Sequence, residues 1–366
     1  MSDRPKIFFA EFLCGGGTTL ASPDEVSSSL AAEALAMWRA LVEDLSQFCD
    51  VVTPVDPQWR FPTLRSDDGV TKVEVQPAVM PWQQWIEIAR ECQAAILVVP
   101  ETKGLLAQGI GMLRAAGVDV LAPGPETLRL AADKFLTARF LAQAGIAHPA
   151  TFDKLDRRCR ERLRDHEYFV LKPRDGCGST DIRVVESLEQ AERCMGAGDL
   201  LQAFCPGRGA SILTIASSNS QVATHHARAT LPAVWQNLHS VQRLENDQAD
   251  GVSERNHGVF EYTGGSGPLD AESQRRVEAL TARVLQALPG HLAGFIGIDV
   301  ILGDDANHDV VIEINPRLTT SYVGMRHMVK ENLTRRLFNP TPQAVAISVP
   351  SDSVRWTSRG DVHVDD

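Results

Sequence analysis

At 366 residues the chain is long enough for two or three domains with well-buried cores. Its composition, 43% hydrophobic and 23% charged, is that of a soluble globular protein, and no apolar run is long enough to span a bilayer. The net charge of −11 argues against a general nucleic-acid or anionic-membrane surface. The seven cysteines are odd in number and scattered, with no CxxC or Cys/His zinc spacing, so reduced thiols in a cytoplasm are expected.

In chain order, MSDRPKIFFAEF is a poor signal peptide and a good first strand, running into the loop CGGGTT. A helix follows. Ser22 can cap it, Pro23 suits its first position and Glu25 completes a capping box, after which Leu30, Ala34, Met37, Leu41, Leu45 and Phe48 repeat at helical spacing. DVVTPV (50–55), AAILVVP (94–100) and VDVLAP (118–123) read as further strands, the last two separated by a helical stretch. Strands alternating with helices imply a small parallel α/β domain over residues 1–125. Ligand contacts are expected at the C-terminal ends of its strands. Those ends hold Glu11 with Gly15, Gly16 and Gly17, and Glu101 in PETKG. Residues 60–80 are turn-rich and receive no element.

From residue 126 the character changes. ETLRLAADKFLTARFLAQAGI reads as one amphipathic helix ended by Gly145. YFVLKP and DIRVV are strands joined by the glycine loop RDGCGST, and residues 126–198 form one lobe. LLQAFC and ASILTIAS open a second lobe, residues 199–330. It continues through a long polar stretch (230–266), a helix (270–288) and a hairpin of GFIGIDVIL (294–302) and DVVIEIN (309–315). Residues 331–366 read as a poorly structured tail.

The hairpin carries the strongest chemical signal. Glu313 and Asn315 sit two apart on a strand and share a face. If the hairpin is symmetric about Ala306, Asp299 lies opposite Glu313 and joins them. Such oxygen ligands suit Mg²⁺, although a surface-facing polar row would show the same alternation. Arg317 follows. Lys172 ends a strand ahead of the glycine loop, where Gly176 and Gly178 let backbone N–H groups approach phosphate. This is not a P-loop, because the lysine precedes the loop. An ordinary hairpin turn would look alike. His225 and His226 are adjacent on a strand and point oppositely, so they are not expected to share a metal. Cys177 reads as a space-filler, and Arg228 in THHARAT as an anion-binding candidate or a surface arginine.

Helix lysine (Lys134), strand lysine with glycine loop, LQAFCPG, strand aspartate and EINPR follow one another in the order of the ATP-grasp superfamily, which the chain resembles over residues 126–325. The resemblance implies a Rossmann-like α/β domain followed by a two-lobed α+β ATP-grasp fold. It implies that Lys134, Lys172, Gly176, Gly178 and Ser179 meet the nucleotide phosphates. Gln202 and the backbone of Ala203 and Cys205 would lie beside adenine. Asp299, Glu313 and Asn315 would hold Mg²⁺, or Mn²⁺ in its place, and Arg317 and Arg228 would orient the reacting groups. The chain departs from many members at Gly209, near the place where they carry an acidic residue for ribose.

More narrowly, EFLCGGGTT, the ADK at Lys134 and EINPRLTTSYVG resemble the tyramine–glutamate ligase group of methanofuran and methylofuran biosynthesis. The implied reaction joins L-glutamate to an amine such as tyramine or tyrosine through an acyl phosphate, with ATP and Mg²⁺, in the cytoplasm. Glu11, Gly15, Gly16, Gly17 and Glu101 would lie near the amine. No nucleic-acid or membrane partner is expected, and homo-oligomerisation is left open. The alternatives are another ATP-grasp amino-acid or peptide ligase, or a non-catalytic nucleotide-binding protein.

Overall fold

The computed structural model describes residues 4–17, 28–78, 80–176, 182–217, 227–244, 256–339 and 345–365. The chain opens with β1 (Lys6–Glu11), α1 (Ser28–Leu45), β2 (Asp50–Val55), β3 (Val70–Glu74), α2 (Trp82–Ala89), β4 (Ala94–Val98) and α3 (Leu105–Ala115). These strands form a parallel sheet in the order β3-β2-β1-β4. β1 lies between β2 and β4, and both β1 after Lys6 and the whole of β4 are buried, as a sheet covered by helices requires. The Ser22–Glu25 capping box lies outside the described residues.

Two readings of this domain change. β3 lies within the stretch given no element: it is a charged edge strand, largely exposed, so it shows little apolar alternation. VDVLAP, expected as a full strand, makes a single bridge through Val120 to Ala95.

The remainder comprises α4 (Pro125–Ala131), α5 (Lys134–Gln143), β5 (Thr151–Phe152), α6 (Arg157–Leu163), β6 (Phe169–Pro173), β7 (Arg183–Val185), α7 (Leu188–Cys194) and β8 (Asp199–Ala203). Then come β9 (Arg208–Ser217), β10 (Ala227–Thr230), β11 (Val234–Leu244), β12 (Asn256–Gly267), α8 (Ala271–Ala287), β13 (Gly294–Leu302), β14 (Val310–Asn315), α9 (Tyr322–Met325), β15 (Val354–Thr357) and β16 (Val362–Val364). Its main sheet runs β14-β13-β9-β11-β12-β7-β6-β8-β5, with β10 beside β9, β15 beside β12 and β16 beside β15.

The helix expected over 126–145 is two helices. Asp133 breaks it by taking an extended conformation and capping α5, its carboxylate accepting from Phe135 N and Leu136 N at 2.9 and 3.1 Å. Lys134 therefore stands on the first turn of α5, at a corner rather than mid-helix. The tail reading also fails. β15 pairs antiparallel with β12, and Trp356 is buried against Gly324 and Gly265, where any Cβ would collide with its ring. One aromatic anchor between short, exposed strands leaves little periodicity to detect.

The small lobe has its own core of Leu163, Phe169, Leu171, Leu201 and neighbours. The α/β domain does not: its core runs on into Phe295, Tyr322, Met325, Met328 and Trp356 of the large lobe. The α/β domain and large lobe thus share apolar packing, which fixes the cleft between them. No helix among the described residues is long and apolar enough to cross a membrane.

Candidate active site

β13 and β14 pair with Asp299 opposite Glu313 and Gly297 opposite Asn315, the register centred on Ala306, and a bulge follows Asp299. Asn315 Nδ2 and Gln236 Nε2 each donate to Asp299 at 3.0 Å, which leaves the Asn315 side-chain oxygen for another ligand. Glu313 meets Lys134 Nζ at 2.7 Å, and Lys134 also donates to the Gly176 carbonyl. Burial, then the charge of Glu313, pushes the Asp299 carboxyl up to about 7. Burial opposes ionisation of Glu313 too, but Lys134, Lys172 and Arg317 outweigh it and hold its pKa below the usual range. Lys172 is buried on β6; burial and then Lys134 draw it down to about 8 against the attraction of Glu313.

These side chains fit a divalent cation. Two carboxylates and an amide oxygen share one face, and one carboxyl is held back from ionising by burial and by its neighbour's charge, which a cation would reverse. Among the described residues no cluster of three His, Cys, Asp or Glu has metal-ligand geometry, in keeping with a site completed by an amide and by ligand oxygens.

Behind Lys172, Gln202 donates to Thr151 Oγ1 at 2.8 Å and lies 3.4 Å from His148. The Ala203 side chain points into the small-lobe core, and its N–H already serves Ala150 O at 2.9 Å. Cys205 Sγ reaches back to Ala203 O at 4.0 Å. Gly178 and Ser179 lie outside the described residues. So does the Arg228 side chain, although Arg228 itself sits in β10 opposite Ala216.

A cavity of about 430 Å³ opens where this site meets the α/β domain. Asp299, Glu313, Asn315 and Arg317 line one side; Glu11, Phe12 and Leu13 after β1, Leu30, Glu33 and Met37 of α1, and Thr102 and Lys103 line the other. Gly209 is also on the wall, paired with Ile301.

Glu101 does not line the cavity. It holds Arg317 in a bidentate pair at 2.8 and 2.9 Å, across the domain boundary. Gly15, Gly16 and Gly17 do not reach the cavity either, which corrects their reading as substrate contacts. They are buried in a tight turn: Gly16 has φ +83°, Gly17 rests on the Phe12 ring, and Gly15 O accepts from Trp85 Nε1 at 2.8 Å. Gly15 and Gly17 let backbone approach the Trp85 and Phe12 rings and Gly16 lets it approach Val75, which needs glycine as much as ligand binding does.

Sequence reasoning missed Glu33, Tyr262, Gln236 and Thr320.

Family models match over residues 131–321 as an ATP-grasp domain and over residues 49–128 as a pre ATP-grasp 3 domain. The chain belongs to the ATP-grasp family, with a parallel Rossmann-like domain ahead of antiparallel ATP-grasp lobes. An ATP-grasp superfamily protein from Archaeoglobus fulgidus has TM-score 0.67 at 18% identity, covering 99% of this chain and 100% of that one. N5-carboxyaminoimidazole ribonucleotide synthetase from Thermotoga maritima has TM-score 0.61 at 17% identity, covering 94% and 79%. L-amino acid ligase from Bacillus licheniformis has TM-score 0.55 at 16% identity, covering 92% and 74%. At such identities these likenesses speak to fold alone. No curated protein matches the chain.

Proposed function

We propose that the protein is an ATP-dependent carboxylate–amine ligase that forms an amide through an acyl phosphate. The observation carrying this reading is that paired carboxylates, one of them bonded to Lys134, and Arg317 converge on one wall of a cavity whose other wall belongs to a second domain. ATP would lie along Gln202, Lys172 and Lys134. Asp299, Glu313 and Asn315 would hold Mg²⁺, which when bound neutralises phosphate charge. Lys134 and Lys172 would bind the transferred phosphoryl group.

The substrate carboxylate attacks the γ-phosphate, giving acyl phosphate and ADP. The amine then attacks the acyl carbon, loses a proton and expels phosphate. Arg317, aimed by Glu101, would steady the anionic acyl phosphate. Positioning and charge neutralisation supply most of the rate, so no protein nucleophile is needed.

The narrower reading is a glutamyl ligase acting on L-glutamate and tyramine or tyrosine, as in the tyramine–glutamate ligase group, and it rests on the motif resemblance. Its test is ADP release from Mg-ATP and L-glutamate with tyramine or tyrosine present or absent, read by product mass. A glutamyl amide that requires ATP and the amine supports it. ADP release with other amines or acids keeps the ligase and discards the substrate. The metal assignment is tested separately: Glu313→Gln is expected to fold and to lose turnover, and wild-type activity in the folded variant would sink it.

A further inference from the structure

On its α/β-domain side, away from the carboxylates of the metal face, the cavity forms a compartment with a different lining. Leu30, Ala34, Met37, Phe12 and Leu105 make its apolar body, and two carboxylates, Glu11 and Glu33, sit within it. Glu11 is buried at 4% exposure, one oxygen accepting from Cys14 N at 2.8 Å. Glu33 is half-buried on α1. Its two oxygens accept from Ser29 Oγ at 3.4 Å and Thr320 Oγ1 at 3.2 Å, so it faces the loop that follows Arg317. Burial pushes both carboxyls up to about 7.

Among the described residues neither carboxylate is closed off by a bonded cation as Glu101 is: each feels Arg317 at a distance, and neither has an ion pair within 4.0 Å there. Tyr262 also lines the cavity, close enough for both Glu33 and Asp299 to act on its hydroxyl, which burial keeps protonated. An apolar compartment does not hold ionisable carboxyls for packing, because their desolvation is costly unless a cation offsets it.

We propose that Glu33, with Glu11 behind it, is the anchor for the ammonium group of an amine substrate whose apolar body fills the compartment walled by Leu30, Ala34 and Met37. This deepens the ligase reading, since it assigns the amine to the α/β-domain side of the cavity and the acyl phosphate to the Arg317 side. It also sets the class. The compartment takes a cationic primary amine on an apolar skeleton, and a carboxylate on that skeleton would be repelled by both glutamates.

Binding without turnover tests the anchor independently of catalysis. The probes are tyramine and 4-ethylphenol, which has the same ring and ethyl chain but no ammonium, titrated calorimetrically into wild type and Glu33→Gln. Expected is tyramine binding at least tenfold tighter than 4-ethylphenol in wild type, with that advantage lost in Glu33→Gln. Equal binding of the two probes, no binding of either, or an undiminished advantage in Glu33→Gln overturns the proposal. Glu33→Asp, which keeps the charge, is expected to recover part of the preference; this separates lost charge from a damaged fold.

A second measurement traps the acyl phosphate with neutral hydroxylamine in the presence of Mg-ATP and L-glutamate. The ratio of tyramine amide to hydroxamate is expected to fall at least tenfold in Glu33→Gln, and an unchanged ratio also overturns the anchor. Absence of hydroxamate in wild type alongside Glu33-dependent tyramine binding would reject the ligase reading while retaining the anchor.

Discussion

The segment from Arg317 to Arg326 carries an arginine at each end, and both reach into the α/β domain with different consequences. Arg326 is enclosed: it pairs with Asp44 through two nitrogens and with Glu43 at 3.0 Å, while the Tyr322 hydroxyl also donates to Asp44. Burial works against ionisation of Glu43, but bonds from Arg39 and Arg326 outweigh it and hold its pKa below the usual range. Arg317 pairs with Glu101 yet stands on the cavity wall, near Glu11, Glu33, Asp299 and Glu313. There burial leads, and Glu11, Glu33 and Asp299 are pushed up to about 7. The same residue types build a clamp where the protein supplies the countercharge, and a site where it leaves much of the countercharge to a ligand.

The largest effect is expected at the clamp. Arg326→Ala leaves Asp44 buried without its cation, while Glu43 keeps Arg39, and should cost about 3–5 kcal/mol in chemical denaturation. A loss under about 1 kcal/mol would mean that the apolar core alone joins the domains and would erase the distinction between the arginines. Next is Arg317→Lys, which keeps the charge but loses the two-pronged grip on Glu101. Ligase turnover should fall about 100- to 1000-fold, with a denaturation midpoint close to wild type. If stability falls as far as in Arg326→Ala, Arg317 belongs to the scaffold.

The two sides also differ in how far the sequence reveals them. Asp299, Glu313 and Asn315 were readable because a strand's period of two fixes which residues share a face, and the hairpin turn set the partner. Lys134 and Lys172 gained meaning from their order along the chain. Glu33 was not readable as a site residue, because on α1 it looks like any solvated helix glutamate until residues almost three hundred positions later supply Thr320 across the boundary. Gly15–Gly17 misled for the converse reason: a glycine run marks close backbone approach, and here the approach is to Phe12, Trp85 and Pro54 rather than to a ligand. The break before α5 was visible as Asp133, but the continuing apolar pattern on both sides hid it.

A smaller effect runs against the usual direction and separates the cavity from the clamp by pH. The Glu11 carboxyl is raised in the folded state above its unfolded value of 4.5, so between about 4.5 and 7 the folded protein binds more protons than the unfolded chain. Stability attributable to Glu11 therefore falls as pH rises through that window and stays low above it. Glu11→Gln, which can still accept from Cys14 N, should match wild type near pH 4 and be more stable by about 2–3 kcal/mol at pH 8. Clamp carboxylate Glu43 has the opposite sign: its stabilisation is present above its unfolded pKa and is lost as pH falls through the lowered folded value. Denaturation curves of wild type and Glu11→Gln across pH 4–8 that stay parallel would show that Glu11 is not held against its ionisation.

The finest test is Thr320→Val, which keeps the side-chain shape and removes one donor to Glu33 at 3.2 Å. That hydrogen bond lowers the Glu33 pKa against burial, so its loss should raise it further and leave less Glu33 ionised at neutral pH. If ionised Glu33 anchors an ammonium group, KM for the amine should rise about threefold to tenfold near pH 7, the weight of one hydrogen bond. KM for ATP should not move, and the acidic limb of kcat/KM for the amine should shift to higher pH. A uniform drop in kcat with no such shift would place Thr320 in the scaffold around Arg317. A shift confined to the amine would put the functional divide of the cavity between Arg317 and Thr320, three residues apart on one loop.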